Sequence, residues 1–335
     1  MTAPGTRPLR AGLLGLGMMG RNHARVLRGL PGVDLVAVAD AYGDPHGVAA
    51  PNELLADVDG VLAAGVDLCV VATPTATHEE VGARLAEAGV PTLIEKPLGH
   101  DEVSAEGLVE VFRRHGTLGC VGHVERYNPA LQSMRTRLAQ GALGEVFQVV
   151  TRRQGPFPAR IADVGVIFDL ATHDIDLTAW VTGQEYLSVS ARVAHRSGRT
   201  NEDLVSGIGQ LTDGTVVTHL VNWLSPLKER VITVTGEKGC LVADTLTVDL
   251  TYYENGTVGS EWEAMAAFRG VREGDVTRYA IAKPEPLVSE LSAFVAAVRG
   301  DASGIVTLEQ GLNTVRVAEA LRRSAFGGET VKVGV

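Results

Sequence analysis

The feature that most limits how this chain can fold is a glycine-rich loop near its N-terminus, Gly15-Leu-Gly-Met-Met-Gly20. The loop lies directly between a predicted strand, residues 9–15, and a predicted helix, residues 18–30. In a strand–loop–helix unit, glycines at this spacing permit a tight turn, let backbone N–H groups approach a pyrophosphate, and allow the helix to pack on the strand. The pattern predicts a dinucleotide-binding loop, and a glycine-rich turn without a ligand is the alternative.

An acidic residue follows at the distance that this motif requires. Asp40 directly follows the second predicted strand, residues 33–39, and lies twenty residues beyond Gly20. A carboxylate at this position accepts hydrogen bonds from the hydroxyls of an adenosine ribose and repels a 2′-phosphate. We therefore expect NAD as the cofactor, with NADP less favoured.

The chain falls into two parts with different patterns. Up to Gly122, short apolar runs alternate with helical segments, which is typical of a parallel sheet covered on both faces. Beyond it, β-rich segments follow one another, separated by turn signals such as Asp213-Gly214. We predict an α/β protein with an N-terminal Rossmann dinucleotide-binding domain, residues 1–122. A C-terminal α+β domain built on a mainly antiparallel sheet is predicted over residues 123–335.

Charge and cysteine content exclude several classes of partner. The 335-residue chain has 30 Lys and Arg against 40 Asp and Glu, a formal net charge of −10, which argues against nucleic acids and anionic membranes as partners. No apolar run reaches the roughly 18 residues that a membrane-spanning helix needs. The 3 cysteines are scattered, so neither a disulfide framework nor a zinc site is predicted. We expect a cytoplasmic protein with no membrane or nucleic-acid partner.

Residues suited to chemistry follow two of the predicted strands. Thr73 and Pro74 come after the third strand, and Glu95 and Lys96 come at the end of the fourth. Ligands of open α/β sheets bind at the carboxyl ends of the strands, where the Lys96 ammonium group can orient a substrate hydroxyl and stabilise developing negative charge. An ordinary solvated loop is the alternative. The predicted cofactor-binding residues are Gly15, Gly17, Met18, Met19, Gly20, Asp40, Thr73, Pro74, His78, Glu95 and Lys96.

A second group of polar residues lies in an otherwise apolar stretch that is predicted to be helical, residues 164–182. Asp169 and His173 are four residues apart and so share a helix face, and Asp176 follows three residues later. A carboxylate beside an imidazole fixes its tautomer and strengthens it as a general base. Two alternatives are a buried histidine satisfied by a helical neighbour and a facial metal site. We predict no metal here.

Together these motifs resemble those of the glucose–fructose oxidoreductase/inositol dehydrogenase/MocA (Gfo/Idh/MocA) family. The resemblance covers nearly the whole chain and rests on the glycine loop, Ala72-Thr73-Pro74, Glu95-Lys96-Pro97 and Asp169-x-x-x-His173-Asp174. It implies a Rossmann domain followed by an α+β substrate-binding and oligomerisation domain, residues 123–335, whose open, mainly antiparallel sheet mediates homodimers or homotetramers. It also implies a catalytic group formed by Lys96, Asp169 and His173.

Three further segments, residues 121–129, 155–165 and 222–230, resemble the branch of that family that oxidises nucleotide-linked amino sugars, such as UDP-N-acetylglucosamine 3-dehydrogenases. We therefore predict NAD-dependent oxidation of a secondary ring hydroxyl, most specifically the 3-hydroxyl of UDP-N-acetylglucosamine or a related UDP-amino sugar. The alternatives are an inositol or free-sugar dehydrogenase, a reductase of a 3-keto sugar nucleotide, a metal-dependent hydrolase and a non-catalytic NAD-binding regulator.

The residues of these segments are compatible with a sugar nucleotide. The guanidinium groups of Arg152, Arg153 and Arg160 suit the oxygens of a diphosphate, and the rings of Tyr127 and Trp223 can cover a sugar or uracil face. The alternatives are arginines that cap a surface strand and a tryptophan that belongs to the core. The predicted substrate-binding residues are Tyr127, Asn128, Arg153, Arg160, Asp163, Thr172 and Trp223.

Overall fold

The computed structural model describes residues 7–157, 164–256 and 274–334. The chain divides into two compact units, of which the first contains the chain up to Val124 together with Pro284–Arg316. The second contains Glu125–Lys283 and the chain from Val317 onward. The predicted division placed all of residues 123–335 in the second domain, whereas the structure groups residues 284–316 with the first.

Six strands form a parallel sheet in the described part of the first unit, in the order β3-β2-β1-β4-β5-β6. This is the strand order of dinucleotide-binding Rossmann folds. The strands are β1 (Leu9–Leu14), β2 (Val33–Ala39), β3 (Leu54–Leu55), β4 (Leu68–Val71), β5 (Thr92–Glu95) and β6 (Gly119–Gly122). The helices are α1 (Met18–Gly29), α2 (Val58–Ala63), α3 (His78–Glu87), α4 (Glu102–His115) and, between the two segments of the second unit, α7 (Pro286–Val298).

One predicted helix of this unit is wrong in its first half. The sequence pattern predicts a helix over residues 52–63, but Leu54–Leu55 pair with β2 as the short strand β3. The helix α2 begins only after Asp57, whose side chain accepts a hydrogen bond of 3.0 Å from the backbone N–H of Gly60. An aspartate in this position caps a helix N-terminus, and the cap fixes where the helix starts.

Helix α7 belongs to the first unit because its apolar face completes the core there. Leu287, Leu291 and Phe294 lie in the same buried cluster as Leu13 of β1 and Leu27 of α1. Spacings of three and four residues place these side chains on one face of the helix. The sequence pattern predicts that face, but it does not say which sheet the face covers.

Nine strands form the sheet in the described part of the second unit, in the order β14-β13-β12-β11-β7-β10-β9-β8-β15. All neighbours are antiparallel except β7 and β10, which confirms the mainly antiparallel sheet. The strands are β7 (Val146–Pro156), β8 (Tyr186–Ala194), β9 (Leu204–Leu211), β10 (Val216–Asn222), β11 (Leu224–Gly236), β12 (Gly239–Asp244), β13 (Asp249–Glu254), β14 (Val276–Arg278) and β15 (Val331–Lys332). The helices are α5 (Pro129–Ala139), α6 (Thr172–Thr182) and the end of α8 (Leu308–Gly327).

The apolar pattern of residues 246–252 predicts a strand, but the structure has a turn there, followed by β13. The Asp244 carboxylate accepts a hydrogen bond of 2.8 Å from the N–H of Leu246, which starts the turn as soon as β12 ends. Aspartate commonly bonds the backbone two residues ahead in this way. The hydrophobic pattern alone does not reveal such a local bond.

Among the described residues, the helices of the second unit pack on one face of the nine-stranded sheet. Val149 of β7 and Val217 of β10 lie in one buried cluster. Ile175 of α6 and Ile167 belong to the same cluster. Because side chains alternate along a strand, the neighbouring residues of β7 and β10 point to the opposite face. In the described ranges, no helix is long and apolar enough to cross a membrane.

Candidate active site

The glycine loop has the geometry that pyrophosphate binding needs. Gly15 has φ +90°, and a Cβ atom there would lie 2.5 Å from the carbonyl oxygen of Ala72. A Cβ on Gly20 would overlap the carbonyl oxygen of Gly15, whereas a Cβ on Gly17 would meet no atom within 4 Å. Helix α1 starts after Gly17 with neither a side-chain cap nor an acidic residue in its first turn. Its N-terminal amides and positive dipole end are therefore suited to an anion.

Asp40 is held beside this loop by two backbone amides. Its Oδ2 atom accepts a hydrogen bond of 2.6 Å from the N–H of Leu16, and its Oδ1 atom accepts one of 2.7 Å from the N–H of Tyr42. Each carboxylate oxygen keeps a lone pair for a further donor. The loop amides and this carboxylate together fit the pyrophosphate and ribose of NAD.

His78, a predicted cofactor contact, is buried and joins two loops. Its Nδ1 atom lies 3.1 Å from the carbonyl oxygen of Pro97, and its Nε2 atom lies 3.1 Å from the carbonyl oxygen of Thr73. Burial lowers the pKa of His78, so the neutral ring donates its one N–H to one of these carbonyls. His78 therefore acts from the protein interior, where it fixes the loops that follow β4 and β5.

The side chain of Glu95, another predicted cofactor contact, also points into the protein. Its Oε1 atom accepts a hydrogen bond of 2.7 Å from Nε2 of the fully buried His23, and its Oε2 atom accepts one of 3.2 Å from the N–H of Lys96. Burial would raise the pKa of Glu95, but the bond to His23 and the nearby positive charges lower it overall. Glu95 is thus an ionised group that fixes the backbone of Lys96.

A second buried carboxyl group belongs to the same region. Glu290 lies on the apolar face of α7 with 1% of its surface exposed, and neither carboxyl oxygen has a hydrogen-bond partner among the described residues. Burial, and then the charge of Glu95, raise its pKa well above the usual value. Two close buried carboxyl groups cannot both ionise cheaply, so Glu290 is the protonated one. The sequence signal for it is a glutamate within a run of core positions.

The remaining predicted cofactor residues lie at the surface of the loops. Met18 and Pro74 are exposed, while Thr73 and Lys96 are half-buried at the ends of β4 and β5. Met19 packs against the core of the first unit. The Lys96 side chain therefore remains accessible at the carboxyl edge of the sheet, where ligands of this fold bind.

The predicted catalytic residues of the second unit lie at a change of helix type. Ile167–Ala171 form a π-helical turn and α6 starts at Thr172, so Asp169 lies in the π turn and His173 in the first turn of α6. The predicted continuous helix over residues 164–182 is therefore α-helical chiefly from residue 172. Asp169 is 8% exposed and His173 is half-buried. Short π-helical turns are rare and occur frequently at functional sites.

Asp176, a ligand in the alternative metal site, is engaged in an ion pair. Its two carboxylate oxygens accept hydrogen bonds of 2.6 and 2.8 Å from the guanidinium group of Arg126, and both residues are buried. Within residues 7–157, 164–256 and 274–334, no group of three or more His, Cys, Asp and Glu side chains could hold a metal. The pair with Arg126 gives Asp176 a structural role.

Arg153, predicted to bind the substrate diphosphate, lies in a buried charge network. Its Nε atom donates a hydrogen bond of 3.0 Å to Asp174, and its Nη1 atom donates one of 2.9 Å to Glu125. Arg153 is 3% exposed. Burial alone would lower its pKa, but the two carboxylates raise it overall. Burial raises the pKa of Asp174 to about 6, although Arg153 acts against that shift. Arg153 is therefore a structural cation rather than a group that is available to a diphosphate.

Three other predicted substrate residues have structural partners instead. Asn128 caps α5 through a hydrogen bond of 3.0 Å from the N–H of Ala130. The hydroxyl of Thr172 donates a bond of 2.9 Å to the carbonyl oxygen of Phe168. Trp223 is 3% exposed and packs edge to face on Phe157, with ring centroids 5.5 Å apart. The core tryptophan, which the sequence left open as an alternative, is what the structure has.

Tyr127 is the described residue of this set that keeps an accessible side chain. It ends the short 3-10 helix Val124–Tyr127 and is half-buried. Arg160 and Asp163, also predicted to bind substrate, lie outside the described residues.

Two family models match this chain. Residues 9–123 match the oxidoreductase family with an NAD-binding Rossmann fold, and residues 131–242 match the GFO/IDH/MocA C-terminal domain. The two matches together cover both kinds of sheet in the structure.

Curated relatives and solved structures agree with these matches. The UDP-N-acetylglucosamine 3-dehydrogenase of Acidithiobacillus ferrooxidans is 29% identical over 87% of this chain and 88% of its own length. Its crystal structure has a TM-score of 0.84, with 27% identity, over 96% of this chain and 99% of that one. The inositol 2-dehydrogenase 2 of Saccharopolyspora erythraea is 30% identical over 98% of this chain and 96% of its own length. The structure of GenD2 from gentamicin A biosynthesis, solved in complex with NAD, has a TM-score of 0.80 with 26% identity and covers 100% of this chain and 99% of that one.

Proposed function

The chain belongs to the Gfo/Idh/MocA family of NAD-binding oxidoreductases, and we propose that it oxidises a secondary ring hydroxyl of a nucleotide-linked sugar. The substrate we propose is UDP-N-acetylglucosamine or a related UDP-amino sugar, and the group oxidised is the 3-hydroxyl. The observation that carries this proposal is the likeness to the UDP-N-acetylglucosamine 3-dehydrogenase, which extends through both the sequence and the fold.

A second candidate is an inositol dehydrogenase. It is favoured by the 30% identity to an inositol 2-dehydrogenase over nearly the whole chain. Both reactions oxidise a secondary alcohol on a six-membered ring, so the same catalytic residues serve either one. The two candidates differ in the substrate's charge, because an inositol carries no phosphate.

We propose that Lys96, Asp169 and His173 perform the chemistry, as the family resemblance implies. NAD, when bound, supplies the acceptor for the hydride that leaves the substrate carbon. His173 takes the proton of the substrate hydroxyl as general base, and Asp169 fixes the tautomer of its ring. Lys96 donates a hydrogen bond to the same oxygen and stabilises the negative charge that develops there. Loss of a positioned acid or base typically lowers the rate by about 10²- to 10⁴-fold.

We also propose that the enzyme is a homodimer or homotetramer assembled through the sheet face opposite to the one that the described helices cover. Ile208, Thr218, Val150, Thr233 and Val242 are successive register partners across five strands of that face, and none of them is buried. A continuous row of apolar and β-branched side chains is costly to leave in water. Light scattering should give at least twice the 35.3 kDa chain mass, and Val150→Lys should lower it. A monomer at all concentrations would contradict this.

The three cysteines are not in disulfides, which supports the expectation of a reducing, cytoplasmic compartment.

A substrate screen tests the proposed reaction. NADH formation would be followed by absorbance with UDP-N-acetylglucosamine, other UDP-sugars, free N-acetylglucosamine and myo-inositol. We expect turnover with the UDP-amino sugar, and a loss of at least about 100-fold in kcat for His173→Ala and Lys96→Ala. Turnover with myo-inositol alone would select the second candidate. Near wild-type turnover in both variants would remove these residues from the reaction.

A further inference from the structure

Two arginines lie side by side on the helix-covered face of the sheet in the second unit. Arg153 of β7 and Arg230 of β11 are register partners, so their side chains project to the same face. Like charges directly opposite one another on a sheet repel. Glu125 offsets the repulsion, because its Oε1 atom accepts hydrogen bonds of 2.9 Å from Arg153 and 3.2 Å from Arg230.

The two guanidinium groups differ in exposure and in how many of their N–H donors are already in hydrogen bonds. Arg153 is buried and donates hydrogen bonds to Asp174 and Glu125. The side chain of Arg230 is 34% exposed, and Glu125 is its only hydrogen-bond partner among the described residues. A guanidinium has five N–H donors in a fixed fork, so most of those of Arg230 remain for a ligand. Glu125 thus holds the guanidinium group of Arg230 in place, and its other N–H donors can bind a ligand.

Arg230 also lies in the part of the unit that contains the proposed base. Arg153 connects it through Glu125 to Asp174, the residue directly after His173 in α6. Burial lowers the pKa of Arg230, and the negative charges of Glu125, Asp174 and Asp169 act against that shift. A partly buried cation near a catalytic group interacts with an anion far more strongly than a surface cation does.

Arg152, the neighbour of Arg153 in β7, does not share this face of the sheet. Arg152 points to the other face of the sheet, where its Nε atom donates a hydrogen bond of 2.8 Å to Glu229. Arg152 is therefore on the wrong face to share a ligand with Arg230.

We propose that Arg230 binds a negatively charged oxygen group of the substrate and that Glu125 fixes the orientation of its guanidinium fork. This deepens the proposed function and rests on it in one respect, because the anion is taken to be part of a sugar nucleotide. Two sources share this chemistry: the diphosphate that links sugar and nucleoside, or a carboxylate on the sugar ring. Guanidinium forks bind both in a bidentate manner.

Calorimetric titration of the NAD-loaded protein with two probes separates these sources. UDP carries the diphosphate without a sugar, and glucuronate carries the carboxylate without a phosphate. We expect Arg230→Gln to weaken the binding of one probe by about 10- to 100-fold, because it removes a charge-assisted hydrogen-bonded pair. Arg230→Lys, which keeps the charge but loses the fork, should weaken it less. Arg152→Gln is the matched control and should bind like the wild type.

The outcomes are distinct from those of the substrate screen. Loss confined to UDP assigns Arg230 to the diphosphate, and loss confined to glucuronate assigns it to a ring carboxylate. Equal binding in wild type and Arg230→Gln, or no binding of either probe to the wild type, overturns the proposal. NAD affinity and thermal stability should be unchanged in both substitutions at position 230; if Arg230→Gln fails to fold, Arg230→Lys decides. Weakened UDP binding without NADH formation from any UDP-sugar would refute the proposed reaction and leave the anion site standing.

Discussion

The Nε2 atom of His23 lies 2.7 Å from the Oε1 atom of Glu95, and both side chains are buried. This contact joins α1, which starts at the glycine loop, to the end of β5, from which Lys96 projects. The helix that follows the cofactor loop and the strand that precedes Lys96 are thereby linked through the interior of the first unit.

The glycines of the loop should separate stability from cofactor binding. Gly20→Ala places a Cβ onto the carbonyl oxygen of Gly15, whereas Gly17→Ala places one in open space. We therefore expect Gly20→Ala to lower the thermal midpoint by several degrees or to prevent folding. Gly17→Ala should melt like the wild type but bind NAD at least about 10-fold more weakly, because its methyl group occupies the approach of the pyrophosphate. Thermal melting and NADH fluorescence titration measure the two effects, and wild-type NAD affinity in Gly17→Ala would contradict the assignment.

Asp40 should set the preference between NAD and NADP. Its carboxylate stands at the end of β2 beside the loop and would repel the 2′-phosphate of NADP. Asp40→Ser removes this charge, so we expect the ratio of NADP affinity to NAD affinity to rise by about 10-fold or more, as the loss of one charged interaction predicts. Fluorescence titration with NADH and NADPH gives the ratio directly. An unchanged ratio would place the ribose elsewhere.

Glu290 should make the protein less stable as the pH rises. Its pKa is raised in the folded state by burial and by Glu95, so the unfolded chain releases this proton at a lower pH than the folded one. The folded state therefore loses stability from about pH 4.5, the ordinary glutamate value, up to the folded pKa. Glu290→Gln cannot titrate and should gain stability relative to the wild type over this range. Parallel melting curves of the two proteins between pH 4.5 and 8 would show that Glu290 is not a buried acid.

His219 should act in the opposite direction. It is buried between Thr151 and Tyr186, at 2.7 and 2.8 Å, and burial lowers its pKa to about 4. As the pH falls below 6.5 the unfolded chain takes up the proton first, so folded stability is lost between about pH 6.5 and 4. Relative to His219→Gln, the wild type should lose at most about 3 kcal/mol over that range. Urea denaturation at several pH values measures the difference, and Tyr186→Phe, which keeps the imidazole, should retain the wild-type trend.

Most of the fold could be predicted from the sequence, and the reasons are local. The apolar run of β2 is bounded by Gly32 and Asp40, so its predicted limits, residues 33–39, agree with the structure. The three loop glycines are identified by their spacing. As that spacing implies, Gly15 and Gly20 have no room for a side chain, and Gly17 leaves open space for the pyrophosphate. What the sequence could not supply is the partner of each element. The apolar face of α7 is visible in the sequence, but its packing with β1 and α1 is a tertiary choice.

The candidate site was predicted less well, because residue type does not determine which way a side chain points. Arg152 and Arg153 are adjacent in sequence, yet alternation along β7 sends one to Glu229 and the other into a buried network. Glu95 and His78 were predicted from their places beside the cofactor loops. Both lie there, but their side chains support the site from the interior. Arg230 closes segment 222–230, which carries the narrower resemblance, yet the sequence did not place it among the predicted substrate residues. Its contact with Glu125 joins positions more than a hundred residues apart, and the sequence alone does not show it.

The most direct test of the proposed reaction follows the hydrogen that leaves the sugar. The protein would be incubated with NAD and UDP-N-acetylglucosamine carrying deuterium at carbon 3, and the reduced cofactor would be examined by mass spectrometry. We predict that NADH gains one deuterium from this substrate and none from substrate labelled at carbon 4. Unlabelled NADH would contradict oxidation at the 3-hydroxyl, and absence of NADH would contradict the substrate itself.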